Sequence, residues 1–376
     1  MPYLKYLDGL RCLAVAWVIL IHLQFHFHFR GDRTIDFIAS HGWMGVDMFF
    51  VISGFLITSI LLREHSKSGR ISLGKFYMRR ILRIWPAYYA LLIIVAILAL
   101  LGAFSNSIMI LHTIKWPAMY LTNVYAGFNR TETCAVLRSW SLSLEEQFYL
   151  LWPLLLFVNL KFAKRAAIAI IIAVTLWRTW LTFHIAPGIM AMRRIFYAPD
   201  TRMDVILYGC LLAFILADRE KCDHIRRIMA RRWVPFLLLT AFLFAVHINN
   251  RWGGHLGNSI GYSISAIVMA LIIAYIHTAQ PKFLLAMLEW RPVVWCGRIS
   301  YGMYLFHSLV IVGVIKMFGA PNTGTQKVIF SLSVYGGTIA VSSLSYIFFE
   351  SRFLRMKNRF SSSSIQQNVA LENAPA

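Results

Sequence analysis

Two side chains set eleven residues apart raise the chemical question. Arg11 and His22 both stand in the apolar run GLRCLAVAWVILIHLQFHFHFR, residues 9–30. An arginine or histidine inside a membrane is costly, so each is a functional candidate by default. On a helix, eleven residues make about three turns, which puts the two within roughly 20° of one face and roughly 16 Å apart along the axis. Taken singly, Arg11 reads equally well as a cytoplasmic anchor reaching the headgroups. His22, taken singly, reads as a partner in an interhelical hydrogen bond. Their shared face favours a joint role.

Other polar residues recur in comparable settings. His26 and His28 follow His22, and histidines at i, i+4 can bind zinc. No third ligand and no H-E-x-x-H is evident, so no metal site is expected. In GWMGVDMFFVISGFLITSILLRE, Asp47 falls near the start of its helix, where the dipole favours a carboxylate. Ser53 and Gly54 fall mid-run, where small residues permit close helix packing. In FYMRRILRIWPAYY, Arg80 and Arg83 share a face at i, i+3, with Arg79 beside them. Such a cluster serves as a positive-inside anchor or as a phosphate clamp, since a guanidinium grips phosphate oxygens in a fork. In RSWSLSLEEQFYLLWP, Ser143 and Glu146 have capping-box spacing, which would account for Glu146. Glu145 lacks that account, although the dipole also favours a carboxylate in a first turn. Trp140, Tyr149 and Trp152 suit an interfacial aromatic belt. In GRISYGMYLFHSLV, Ser300, Tyr304 and His307 form a stripe at i, i+4, i+7. Packing against neighbouring helices is its bland explanation. Glu350, in FFESRF, ends the last apolar run within reach of the arginine cluster, and pairing with Arg80 or Arg83 there would be structural.

These residues need a scaffold, and composition supplies its class. The chain has 376 residues, 59% hydrophobic and 14% charged, against about a quarter charged in a soluble domain. The apolar residues come in runs long enough to span a bilayer. The fold expected is all-α: a polytopic transmembrane helix bundle of about ten spans. They are placed at 10–28, 43–62, 82–103, 140–160, 166–185, 202–217, 233–248, 259–277, 299–318 and 326–349. The net charge of +21 does not point to nucleic acid, because the basic residues cluster between apolar runs in the positive-inside pattern. The segment 63–83 alone carries Arg63, Lys67, Arg70, Lys75, Arg79, Arg80 and Arg83. That bias puts both termini in the cytoplasm. Counting residues 105–125 as a further span would invert the bias, so they read as interfacial or re-entrant. The first run lacks a signal-peptidase site and is read as retained. Residues 1–355 form the membrane domain, and the polar tail 356–376 reads as disordered. Cys12, Cys134, Cys210, Cys222 and Cys296 are scattered, without disulfide or zinc spacing.

Together these motifs resemble the membrane-bound acyltransferase family 3, which transfers acyl groups, commonly acetyl, to sugars and other hydroxyl acceptors. The resemblance runs from YLDGLRCLAV to FFESRF. It includes the arginine, ten residues, histidine spacing of Arg11 and His22, then GVDMFFVISGFLI, the R-x-x-R pair Arg80 and Arg83, SWSLSLEEQFYLLWP and ISYGMYLFH. Arg352 stands where many members have proline. The resemblance implies acetyl-CoA, or another acyl-CoA, as a cytoplasmic co-substrate, with no bound cofactor. It also implies a carbohydrate or glycoconjugate acceptor, such as lipopolysaccharide, exopolysaccharide or peptidoglycan, and a place in a bacterial inner membrane. CoA carries phosphates at one end and its thioester at the tip of a long arm. Arg11, Arg80 and Arg83 would hold the phosphates. His22 would act as general base on the acceptor hydroxyl, a task that suits an imidazole. Asp47 or Glu145 would orient the imidazole or the acceptor, with Ser53, Tyr304, His307 and Glu350 in support. A covalent acyl-histidine relay is the other form the reaction could take. With no hydrolase-like domain after the last span, the chain is expected to act alone or to hand its product to a separate protein.

Two other classes use the same residues differently. A transporter of a small anionic or acylated substrate would also bury cations along a pathway, but it would often show two related halves, which are not apparent. In a scaffold, the polar residues would only bind helices together.

Overall fold

A computed structural model describes residues 3–27, 33–129, 139–186, 188–251, 255–357 and 360. Every regular element among them is helical, and none is a strand. The chain opens with α1 (Lys5–Gln24), the short α2 (Arg33–Ser40) and two long helices, α3 (Met44–Ser68) and α4 (Leu73–Leu100). Three short helices follow: α5 (Ser107–Thr113), α6 (Lys115–Ala118) and α7 (Thr122–Phe128). Next come α8 (Trp140–Val158), α9 (Leu160–His184), α10 (Ile189–Tyr197), α11 (Pro199–Ala217), α12 (Arg219–Met229) and α13 (Val234–Arg251). A π-helical turn at Gly257–Gly261 leads into α14 (Tyr262–Ala279), then α15 (Lys282–Leu288), α16 (Arg291–Arg298), α17 (Ser300–Phe318) and α18 (Gly324–Leu344). A second π turn, Ser345–Glu350, joins α18 to α19 (Ser351–Lys357).

Among the described residues, seven segments are long and apolar enough to cross a membrane: α1, α3, α4, α9, α14 with its π turn, α17, and α18 with its continuation. An eighth is reached if α12 and α13, which meet at 90°, form one broken span. Among the described residues each of the ten expected runs coincides for most of its length with helix, but α8 and α11 are more polar than the seven. Each has 19 residues, roughly 28 Å. However, α8 carries Glu145 and Glu146, and α11 carries Asp200, Arg202 and Asp204. The helices also outrun the apolar windows. α3 continues to Ser68 and α4 starts at Leu73, well before residue 82, so Arg79 and Arg80 are helical.

Residues 105–125 form no span-length helix. They fold back onto α4, where the Tyr88 hydroxyl donates to the Pro117 carbonyl at 2.8 Å and Tyr120 stacks on Tyr88 at 4.6 Å. Two local expectations need correction. α8 begins at Trp140, with Ser139 at its N-cap, and the Ser143 hydroxyl turns back to the Ser139 carbonyl at 3.1 Å. Ser143 is therefore already inside the helix and cannot cap it, so no capping box accounts for Glu146. The tail was placed from residue 356, yet α19 runs to Lys357, and the Phe360 carbonyl accepts from Arg79 at 2.8 Å. Residues beyond Phe360 lie outside the described set, as does His28.

The centre of the bundle is α11 packed on α3. A Cβ added to Gly54 would overlap the Ile206 carbonyl, and one added to Gly209 would overlap that of Val51. These glycines allow backbone to meet backbone, which is how membrane helices gain dispersion contact. Two fully buried ion pairs flank the seam, Arg202 with Asp47 and Arg178 with Asp204. Arg178 is also held by the carbonyls of Ser259 and Thr201 and by the Ser263 hydroxyl. Charges survive here because each has an opposite partner. Outside, Leu100, Leu151, Phe183, Phe236 and Leu332 are exposed, a lipid-facing apolar surface rather than a misplaced core.

Candidate functional site

One cavity of about 690 Å³, its mouth included, opens where α1, α3, α4, α8 and α17 converge. α1 contributes Arg11, α4 contributes Arg80 and Arg83, and α8 contributes Ser141, Glu145 and Tyr149. Ser53 reaches in from α3, and Ser300, Tyr301 and Tyr304 from α17. Residues distant in sequence thus meet in one place.

The cationic wall is only partly neutralised. Arg11 pairs with Asp8, one turn back, at 3.2 Å. Arg80 lies over the Tyr149 ring, 4.2 Å from its centroid, so one face of its guanidinium is covered by π density. Arg83 sits within the field of both Arg11 and Arg80, with Asp8 the opposing charge. Among the described residues, nothing accepts a hydrogen bond from Arg80 or Arg83. Three guanidiniums thus converge on one opening, an arrangement complementary to phosphate.

Beside Arg80 is a small hydroxyl–carboxylate network. Glu145 Oε2 accepts from Tyr149 at 2.9 Å and from Ser53 at 3.2 Å, and the two hydroxyls also touch each other. Tyr149 lies one turn beyond Glu145 on the same face, so the i, i+4 rule would have found it. It had been read as belt. Ser141 meets the Tyr304 hydroxyl at 2.5 Å, and Tyr301 donates to the Ile84 carbonyl at 2.8 Å. The roles of Ser141 and Tyr301 carried no sequence signal.

His22 does not line this cavity. It lies further along α1, where its Nδ1 meets His307 Nε2 at 2.9 Å, with ring centroids 4.7 Å apart. α17 supplies both ends of the connection: Tyr304 lines the cavity, and His307 stands one turn on. The polar stripe thus joins α17 to α1 through a hydrogen bond between helices.

Asp47 lies elsewhere. It is fully buried against Arg202, whose guanidinium also sits 3.9 Å from the centroid of Tyr262. Glu350 accepts from Ser345 at 2.8 Å and feels Arg83 electrostatically. No ion pair joins them among the described residues, and no group of three or more His, Cys, Asp or Glu there could hold a metal. Outside the spans, on α16, the neighbouring Cys12 holds the Cys296 thiol below the ordinary thiol range.

The family described as the acyltransferase domain matches residues 4–347. The chain is 30% identical to the peptidoglycan O-acetyltransferase OatA of Listeria monocytogenes, over 93% of this chain and 55% of that protein. It is 30% identical to YrhL of Bacillus subtilis, provisionally named a peptidoglycan O-acetyltransferase, over 93% and 54%. It is also 30% identical to a provisionally named O-acetyltransferase of Staphylococcus aureus, over 94% and 58%. The chain spans little more than half the length of these relatives. No solved structure matches it significantly. From Leu4 to Ile347, the chain belongs to the acyltransferase family.

Proposed function

We propose that this protein moves an acyl group, acetyl in the first instance, from an acyl-CoA onto a hydroxyl of a cell-surface or exported carbohydrate. Peptidoglycan is the first acceptor to try, on the names of its relatives. The observation that carries the reading is the convergence of Arg11, Arg80 and Arg83 on one cavity, which Tyr304 connects to His22 and His307. The proposed topology is ten spans in a bacterial inner membrane with both termini cytoplasmic, so the arginines face the compartment that holds CoA.

In this reading the arginines bind the donor's phosphates, and the extended arm carries the thioester inward. The Arg11–His22 rise of roughly 16 Å is comparable to the reach of that arm. His22 takes the proton of the acceptor hydroxyl as its oxygen attacks the thioester carbonyl. The tetrahedral intermediate collapses, the C–S bond breaks, and CoA leaves as thiolate to be protonated. Glu145, held by Ser53 and Tyr149, orients the acceptor or donor within the cavity. Lipopolysaccharide and exopolysaccharide acceptors use the same chemistry.

Membranes expressing wild type, His22→Ala and Arg83→Ala, matched for protein level, would be given radiolabelled acetyl-CoA. Wild type is expected to label an envelope glycan, and His22→Ala to label none. Arg83→Ala should weaken donor binding about 10- to 150-fold, the equivalent of one charged hydrogen bond at about 1.5–3 kcal/mol. Labelling by His22→Ala at the wild-type rate refutes the base. If wild type turns over no acyl-CoA at all, the transferase reading is refuted and transport becomes the better account.

A further inference from the structure

We propose that His307 is a positioning residue that fixes the tautomer and ring orientation of His22, leaving Nε2 of His22 as the nitrogen that takes the acceptor proton. This rests on the reading of His22 as base. His307 Nδ1 lies 2.7 Å from the Tyr304 carbonyl, one turn back on its own helix. A carbonyl only accepts, so Nδ1 carries the hydrogen. In a neutral imidazole the other nitrogen is then an acceptor, and His307 Nε2 faces His22 Nδ1 at 2.9 Å. His22 Nδ1 must therefore donate, and its Nε2 holds the lone pair. A pair of neutral rings satisfies these contacts in this way alone. The Ser308 hydroxyl also lies 3.2 Å from the same Nε2.

The positions of these groups explain why they are on one helix. His307 is 1% exposed, and its ring turns back onto the turn that presents Tyr304 to the cavity. One short stretch of α17 thus sets the cavity wall with the Tyr304 side chain and the histidine pair with the Tyr304 carbonyl. When His22 accepts a proton, the charge is shared toward His307 Nε2 through the Nδ1–H bond. The arrangement matches the base-and-orienter pattern of nucleophilic enzymes, with a neutral imidazole as orienter.

The test uses the full-length protein in membranes, with labelled acetyl-CoA and envelope glycan. His307→Leu keeps the bulk and removes the acceptor. His307→Gln places an amide oxygen near the former Nε2, where it can accept the His22 Nδ1–H. The Leu variant should lose kcat by about 10- to 100-fold, the size of loss seen when a metal-bound histidine is deprived of its hydrogen-bonded partner, with KM for acetyl-CoA unchanged. Gln should restore most of that kcat at the same protein level. A purely structural role would instead give equal losses in Leu and Gln, or a shift in KM, and either result overturns the proposal. Wild-type kcat in His307→Leu, alongside an inactive His22→Ala, overturns it while leaving the base in place. Activity in His22→Ala overturns both.

Discussion

Asp47 allows the roles of scaffold and site to be separated by a single perturbation. Its carboxylate and the Arg202 guanidinium are both fully buried. Asp47 Oδ2, Arg202 Nε and Arg202 Nη1 find no other partner among the described residues. Asp47→Ala therefore leaves a buried cation whose remaining support is aromatic: Tyr262 at 3.9 Å, Phe196 at 5.4 Å and Trp140 at 6.0 Å. Breaking a buried pair from one side costs about 3–5 kcal/mol, while a desolvated cation–π contact retains about 2 kcal/mol. The expected net loss is about 1–3 kcal/mol, a drop on the order of 5 °C in melting temperature. Asp47→Asn should lose less, because its amide oxygen still accepts from Nη2. Replacing both partners, Asp47→Leu with Arg202→Met, should return stability to within about 1 kcal/mol, since the desolvation cost vanishes with the charges. The assay is thermal unfolding of detergent-purified protein, run beside acyl transfer at a temperature where every variant is folded. If Asp47→Ala melts like wild type yet transfers nothing, the ion-pair account is wrong and Asp47 belongs to the chemistry. A double variant that is stable but inactive would refute it in the same way.

Two further outcomes are expected. Gly54→Ala and Gly209→Ala should each destabilise the protein by about 1–3 kcal/mol, read as a lower melting temperature, because each new methyl meets a carbonyl of the facing helix. The Cys296 thiol should react with maleimide along a titration centred below the ordinary thiol range. Cys12→Ala should move that midpoint up toward the ordinary thiol range of about 8.5, because the hydrogen bond that stabilises the thiolate comes from Cys12.

Much of the arrangement was legible because membrane helices carry few polar residues, so each one stands out. Arg11, Arg80 and Arg83 were singled out by type and spacing alone, and they line one cavity. Ser53, Glu145 and Tyr304 join them there. Gly54 could be read as a packing residue because a missing side chain has one plain use within a span. Tertiary partners were not legible. Asp47 was given a helix-dipole explanation, while its actual partner, Arg202, lies 155 residues away. Arg178 and Asp204 passed unnoticed because charges near the ends of apolar runs resemble ordinary boundaries. The cap of α8 was misplaced because Ser139 and Ser143 both offer a hydroxyl, and sequence does not rank them. His307 was noted for its stripe, but a stripe does not reveal which nitrogen faces which. Span number is harder to fix from hydropathy: α8, expected as a span, turns Glu145 toward the cavity while Leu150, Leu151 and Leu154 lie exposed.

The distance from cation to base depends on how firmly α1 is held. Near Arg11, the backbone of Asp8 packs so closely on Gly297 that a Cβ there would overlap it. Further along, the Ala14 carbonyl approaches Gly45 of α3 in the same manner. The Tyr335 hydroxyl of α18 then donates to the Ala16 carbonyl at 2.7 Å. At the far end, His22 is tied to His307. α1 is thus pinned from several sides along its length, and its rise per residue is fixed by its own hydrogen bonds. A misplacement of about 1 Å can cost about 100-fold in rate, so a donor held at its phosphates and attacked at its far end needs a rigid spacer between the two points. A loop would not serve. A helix gripped at successive turns does, and for that reason the two ends of the proposed chemistry can share one short run of sequence.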